Sequence, residues 1–455
     1  MIGLVSYGIL MALLAIGTLW TPAVAFAAVL CLYGMKQWGQ STSLLLAEHR
    51  TATNIAIGCL VLLGLVMRVV RGRCLFCRLP PVALLVILLY GYALVTLAWT
   101  PDKETALEQW SLTFPYLVTI TALGPLLVAT MGDVRRFARW TIFIGGALLA
   151  LAMFFGHWGA RGLIVEGDIY ESETNPLALA SLAGTVSVFA ALSLQRGTPL
   201  WLKTLLIATV PLAFAVIFRS QSRGQLVAAV TAVIVAWPIA YRQKNFASYL
   251  AWVVGAVTTV LAAWFASTLV EFNTKRWTAA GSSDDVTGRL DMGVALIGHA
   301  ASNPLTFLFG LGNSSAFHYV GFYPHIAVLE ILGEEGLVGL VLFLAIIYLA
   351  LRSAARLVRD PAVARNAPRR AAVGMLTGAF VFELMLSMKQ GALLSCVYVT
   401  AYAIVMGRLE VLVRRSPVGD SSATRAAPSL LTRGFPSLAD PTAGSARGTT
   451  IGEIP

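Results

Sequence analysis

Charge is what this sequence has least of: Asp, Glu, Lys and Arg make up only 12% of its 455 residues, about half the share of an ordinary soluble domain. Most of the chain therefore cannot face water, which excludes every functional reading that treats it as soluble. Cysteine is sparse too. Cys31, Cys59, Cys74, Cys77 and Cys396 fall mostly in apolar stretches, and the Cys74-x-x-Cys77 pair has no second half to complete a zinc site. No disulfide or metal framework follows. The nearest acidic pair, Asp284-Asp285, sits in a polar run and reads as solvated. The N-terminus lacks a basic n-region and a small-residue cleavage site, so the first apolar stretch is expected to be a retained span.

What fills the sequence instead is apolar: 58% of residues are hydrophobic. Runs of about 18 to 22 such residues recur from the N-terminus to Arg408, each long enough for a helix to cross a bilayer. Spans are expected near 52–70, 80–99, 112–131, 138–156, 175–193, 200–217, 224–240, 249–270, 330–351, 371–388 and 391–408. Met1 to Met35 is either one long tilted helix or two short ones hinged at Trp20-Thr21-Pro22, where proline favours a break. The single-helix count gives about twelve spans, an all-α polytopic membrane protein. After Arg415 the chain turns to Ser, Pro, Ala, Gly and Thr, which cannot bury enough apolar surface to fold. The expected division is a transmembrane domain over 1–412 and a disordered cytoplasmic tail over 413–455.

The net charge of +11 could suggest nucleic acid, but in a membrane protein such a balance comes from cytoplasmic loops, and no nucleic-acid partner is expected. Arg68, Arg71, Arg73 and Arg78 crowd one loop, and Arg135, Arg136 and Arg139 another. Arg352 to Arg370 holds six arginines against one Asp360. Arg196, Lys203, Arg242 and Lys244, then Arg414 and Arg415, fall on that same cytoplasmic side. The intervening loops run acidic, with Asp102, Glu104 and Glu108, then Glu166, Asp168, Glu171 and Glu173. Both termini are then expected to be cytoplasmic. The long connection over 271–329 falls on the external side and mixes polar residues with Trp277, Leu296, Phe307, Phe309 and Phe317; a connection that long is usually functional.

Two external arginines stand against the charge rule. Arg219 and Arg223 flank the Ser220-Gln221-Ser222 turn, with Arg223 at the start of a helix. One reading is that they snorkel to lipid headgroups. The sharper one is a site for an anionic group, since guanidinium donors match phosphate oxygens and the helix start adds N–H donors. The external connection adds Gly288-Arg289, Asn303-Pro304, Gly310-Leu311-Gly312 and Tyr323-Pro324-His325 ahead of Glu334-Glu335-Gly336-Leu337-Val338-Gly339. Gly336 and Gly339 read as packing positions that let another helix approach. His325 would give a cationic pocket one titratable nitrogen, with His299 and His318 as competitors. Lys389 reads as a span end, and Glu383 at membrane depth as a functional candidate that could pair with an arginine.

The order of these features resembles the O-antigen ligase and polymerase family of bacterial envelope glycosyltransferases. The resemblance is carried by Ser222-Arg223-Gly224, Gly288-Arg289, Asn303-Pro304 with Gly310-Leu311-Gly312, and His325 with Glu335-Gly336-Leu337-Val338-Gly339. Smaller echoes are Ala98-Trp99-Thr100-Pro101-Asp102 and Asn175-Pro176. The topology is similar over 1–412, with the motifs concentrated in 219–225 and 288–340. The sequence departs from the family at Ile326, where an asparagine often follows the histidine.

The resemblance implies a GT-C-like O-antigen ligase fold in the bacterial inner membrane, with a large periplasmic loop over a cavity. It implies a donor glycan on undecaprenyl diphosphate, an acceptor that is lipid A core or a second lipid-linked glycan, and no metal or other cofactor. Arg223 and Arg289 are then expected to clamp the diphosphate, with Arg219 as a third, and His325 to take or orient the acceptor's proton. Ligase is preferred narrowly over polymerase, with protein O-glycosylation a third outcome. A transporter or flippase is the reading from another class, and the absence of a clear duplicated pattern of interrupted spans argues against it.

Overall fold

The described residues of the structure, a computed structural model, are 2–415 except 73–74, 76–78, 168–171, 196–197, 244 and 270–278. The side chains of 2, 259–269, 279–286 and 415 also lie outside that set. Arg73, Cys74, Cys77, Arg78, Asp168, Glu171, Arg196, Lys244, Trp277 and the 416–455 tail thus lie outside the described residues, as do the side chains of Asp284, Asp285 and Arg415.

Among the described residues the chain is mostly helical. It runs α1 (Ile2–Trp20), α2 (Ala23–Thr42), α3 (Leu44–Glu48), α4 (Ala52–Val70), α5 (Pro81–Thr96), α6 (Lys103–Tyr116), α7 (Met131–Phe155), α8 (Pro176–Ser193), α9 (Leu200–Arg219) and α10 (Arg223–Ala240). It continues through α11 (Phe246–Leu269), α12 (Ala279–Ala301), α13 (Pro304–Phe309), α14 (Ala316–Val320), α15 (Ala327–Glu334), α16 (Gly336–Arg359), α17 (Pro361–Ala364), α18 (Ala367–Gln390) and α19 (Val397–Arg415). Among the described residues no strand forms; two isolated bridges join Trp158 to Leu163 and Ile164 to Glu173.

Nine of these segments, among the described residues, are long and apolar enough to cross a membrane: α1, α4, α6 with its continuation to Leu127, α7, α8, α9, α10, α16 and α18. Pro81–Thr96 and Phe246–Thr258 are shorter apolar helices. The protein is a multi-pass membrane protein. The α6 crossing changes helix type on the way, because Pro115 lacks an N–H and breaks the ladder; a π segment, Leu117–Leu123, and a 3-10 turn, Gly124–Leu127, follow.

Several helices start on a side-chain cap followed by proline. Asn175 Oδ1 accepts from Leu177 N at 3.0 Å, Asn303 Oδ1 from Leu305 N at 2.9 Å, and Asp360 Oδ1 from Ala362 N at 2.8 Å. Each carboxamide or carboxylate answers an N–H left over at the helix start, while the proline needs no acceptor. Asn175-Pro176 and Asn303-Pro304 therefore have a local structural job.

Burial separates an inner from an outer set of helices. In the most apolar stretch of α18, 72% of residues are buried, against 28% in α1 and α9. Almost every residue of α2 is buried. Phe26 of α2 meets Phe137 of α7 edge-on at 5.0 Å and Tyr402 of α19 at 6.2 Å, and Phe137 meets Phe189 of α8 at 5.9 Å.

The structure chooses between the two readings of the N-terminal stretch and bears on other expectations. The Met1–Met35 stretch is two helices broken at Thr21-Pro22, so α1 and α2 run back on each other with Gly3 against Thr42. Arg71 donates to the carbonyls of Trp20 and Leu19, which puts the hinge at the arginine-rich end and the start of α1 at the other. The two ends of the helical unit are thus not on one side: α19 reaches the arginine end, where Arg408 donates to Pro125 O at 3.0 Å and Leu75 O at 3.2 Å. The compact unit runs to Arg415, the end of α19. Within the connection over 271–329, the described residues from 279 onward fold into α12, α13, α14 and the start of α15.

Candidate functional site

The sequence features singled out above gather at the end of the bundle away from the arginine-rich loops. The turn from α9 to α10 is tight: Ser220 N bonds Val216 O at 2.9 Å, and Gln221 follows in the left-handed region at φ 52°. An L-residue there is disfavoured and persists only where its surroundings impose it. The turn delivers Arg223 to the first position of α10. Beside it, Gly224 lies so close to α18 that a Cβ would fall 2.0 Å from Lys389 Cδ and 2.6 Å from its Nζ. Gln225 Nε2 donates to Gln390 Oε1 at 2.9 Å. From α12, Arg289 Nη1 donates to the Lys389 carbonyl. Arg289 of α12 thus meets the end of α18 at Lys389, and the Lys389 side chain lies against the start of α10, where Arg223 precedes Gly224. Lys389, which reads in the sequence as a span end, joins these helix ends into one corner.

A second construction stands beside it. Gly310 (φ 85°) and Gly312 (φ 102°) let the strand-like Gly310–Asn313 segment run along the end of α15, with Leu311 N bonding Gly333 O at 3.0 Å and Gly312 N bonding Glu334 O at 2.9 Å. A Cβ on Gly310 would sit 2.0 Å from Glu334 O, and one on Gly312 would sit 2.5 Å from Thr100 Cα. The segment is held from the other side by Trp99 Nε1 on Gly310 O at 3.2 Å and Thr100 Oγ1 on Asn313 O at 2.9 Å, which accounts for the Trp99-Thr100-Pro101 echo. Gly336, expected to admit a helix, instead turns the backbone at φ 68° against Gly310 N and Leu308 O.

Asn313 is the hub of this construction, and sequence reading missed it. Its Oδ1 accepts from Trp110 Nε1 at 2.9 Å, its Nδ2 donates to Glu335 Oε1 at 2.6 Å, and its N donates to Thr96 Oγ1 at 3.0 Å. Glu334 accepts from Ser314 N at 2.8 Å and Ala316 N at 2.9 Å, and Glu330 from Leu393 N at 3.2 Å. All three carboxyls are buried. Burial pushes Glu334 up to about 7 despite its two N–H donors. Burial, followed by the charge of neighbouring glutamates, pushes Glu330 and Glu335 well above the carboxylate range. Three neighbouring carboxyls cannot all ionise without water. Glu334 accepts from two backbone N–H groups, bonds that favour its charged form.

His325 closes the site. It sits just before α15 at φ 62°, its ring 4.2 Å from Tyr323 and 5.2 Å from Phe322. Burial, and the charge of Glu330 next, raise the Tyr323 phenol, while Arg289 acts the other way, so Tyr323 links the cation corner to the histidine. His325, Tyr323, Glu330, Glu334 and Gln390 line one cavity of about 890 Å³. That volume suits a large polar ligand. None of Arg219, Arg223, Arg289 or Lys389 lines it; the corner adjoins it through Gln390 and Tyr323.

The other candidates fall elsewhere. Arg219 stacks over the Trp158 ring at 5.6 Å, a cation–π placement. His299 and His318 pack on Tyr319, at 4.8 Å and 5.0 Å, and neither lines the cavity. Glu383 does line it, but among the described residues it pairs with no arginine. No group of three His, Cys, Asp or Glu side chains among the described residues is arranged to hold a metal ion. Chemically, the arrangement sets fixed cations able to hold an anionic leaving group next to an imidazole able to take a proton. No protein-family model matches the chain, and no curated protein matches it.

Proposed function

We propose that this protein is a membrane glycosyltransferase that moves a glycan from a polyprenyl (undecaprenyl) diphosphate to an acceptor hydroxyl, as an O-antigen ligase does. The site end of the bundle faces the periplasm, in an inner-membrane protein of about twelve crossings. One observation carries the reading: Arg289 donates to Lys389 next to the start of α10, where Arg223 stands, beside a large cavity that His325 lines.

In this reading the acceptor oxygen attacks the anomeric carbon as the bond from that carbon to the diphosphate breaks. The electron pair leaves on the diphosphate, where Arg223, Arg289 and Lys389 stabilise the growing charge without a metal. The acceptor proton passes to His325. Because diphosphate already leaves well, positioning supplies a further part of the acceleration. The glutamate group at the cavity wall is available to take the proton onward from the imidazole.

The test is transfer by purified protein in detergent with EDTA present, from a lipid-diphosphate-linked glycan to lipid A core or to a second lipid-linked unit. Arg223→Ala and Arg289→Ala are expected to lower turnover by about 10²- to 10³-fold, and His325→Ala by about 10²-fold. Product on the second lipid-linked unit alone would make the enzyme a polymerase. Donor movement across a reconstituted bilayer with no transfer would sink the enzyme reading in favour of a transporter.

A further inference from the structure

The cavity has a cationic feature unconnected to the corner described above. Lys36, on α2, and Arg50, between α3 and α4, both line it. Neither forms an ion pair with any described residue, and Arg50 acts electrostatically on Lys36, so two positive charges share this part of the wall. Two like charges on one cavity wall cost free energy that a bound anion would relieve. One wall carboxylate, Glu173, is committed elsewhere: it accepts from the backbone N–H groups of Ala160, Arg161 and Gly162.

A second, independent observation points to a ligand. Gln37, next to Lys36 and only 5% exposed, also lines the cavity; its Nε2 donates to Asn175 O, and its buried Oε1 has no hydrogen-bond partner. A buried acceptor left open is costly, and a sugar hydroxyl is a donor of the right kind. The wall thus offers an acceptor suited to a sugar and, one residue away, two cations suited to an oxyanion.

We propose that Lys36 and Arg50 bind the phosphate or carboxylate group of an anionic acceptor glycan, whose hydroxyls engage Gln37, apart from the Arg223–Arg289–Lys389 corner. The proposal rests on the transferase reading and deepens it: the acceptor is a negatively charged glycan, and each substrate has its own cation set. Acceptor specificity then resides in α2 and the α3–α4 turn.

The test is binding without donor, so that it does not depend on turnover. Full-length protein in detergent would be titrated with an oligosaccharide carrying a phosphate monoester, a uronic-acid counterpart, and the neutral oligosaccharide. One of the charged forms should bind at least about tenfold more tightly at low salt, with the preference fading as salt rises. Lys36→Gln and Arg50→Gln should each remove about tenfold of that preference and leave the neutral oligosaccharide unaffected, while Arg289→Ala should leave the preference intact. Equal affinity for all three sugars, or a preference unmoved by both glutamine variants, overturns the proposal. Displacement of the charged sugar by phosphatidylglycerol at lower concentrations than by free phosphate would also overturn it, because the pair would then be a lipid-headgroup site. A charge preference that survives in a protein showing no glycan transfer would leave the anion site and sink the transferase.

Discussion

The two ends of this bundle use arginine in opposite ways. At one end Arg356 and Arg414 both reach Glu410, at 2.9 Å and 2.8 Å, and Arg408 is buried with its guanidinium on two backbone carbonyls. Those cations finish helix ends. At the other end Arg289 donates to the Lys389 carbonyl next to the start of α10, where Arg223 stands, beside a cavity, and the backbone nearby is strained. Every non-glycine residue with positive φ among the described residues, Gln221, Ser314 and His325, belongs to that end. Strain held in place by surrounding structure concentrates where geometry matters more than stability. The difference teaches that position alone does not give an arginine its role; what it is assembled with does.

Three experiments break or sharpen the contrast. The largest effect on stability is expected at the hub. Asn313→Ala removes bonds to Trp110 and Glu335 at once and leaves both buried without them. A cost of about 2–4 kcal/mol is expected, read as a lowered thermal midpoint in detergent. A midpoint within a degree of wild type would mean that the site end is not organised by this network.

Acidity should separate the ends next. Glu334 rises from its ordinary 4.5 to about 7 in the fold, so the unfolded chain releases its proton at lower pH than the native one. Its contribution to stability is full below pH 4.5 and is lost as pH rises through about 7, which makes the protein more stable at pH 5 than at pH 8. With each pH unit worth about 1.4 kcal/mol, the span amounts to about 3 kcal/mol at most. Glu334→Gln should flatten the profile of thermal midpoint against pH. A wild-type profile that already rises toward pH 8 would refute the burial argument.

The smallest effect belongs to the arginine end. The Arg356–Glu410 pair is partly exposed, with 36% of the arginine side chain accessible, and is expected to contribute less than about 1 kcal/mol. Glu410→Gln should shift the thermal midpoint by a degree or two and leave ligand binding at the far end unchanged. A loss of binding would show that the ends are coupled.

Much of the helix layout was legible because lipid demands length and continuous apolarity, and both are properties of a segment by itself. The spans expected at 52–70 and 175–193 match α4 and α8 closely. The hinge at Thr21-Pro22 was visible as an alternative, since a proline there removes a helical bond, yet whether the chain turned back depended on α2 finding a place among α4, α7 and α8. At the site, Arg223, Arg289 and His325 stood out as charged or titratable residues in places where such groups need a reason. Asn313 carried no such mark, and Lys389 looked like an ordinary boundary residue. Their roles depend on partners more than 150 positions away in the chain, Gly224 and Trp110 among them.

By itself, then, the sequence determined that the protein lies in a membrane and where many of its helices run, because solvent preference and backbone propensity act locally. Only the tertiary structure decided that Arg289 meets Lys389, that Arg219 turns to Trp158, and that His325 shares a cavity with Glu330, Glu334, Lys36 and Arg50. Those are relations among side chains on different helices, and they exist only once packing has fixed which helices are neighbours and how each is rotated.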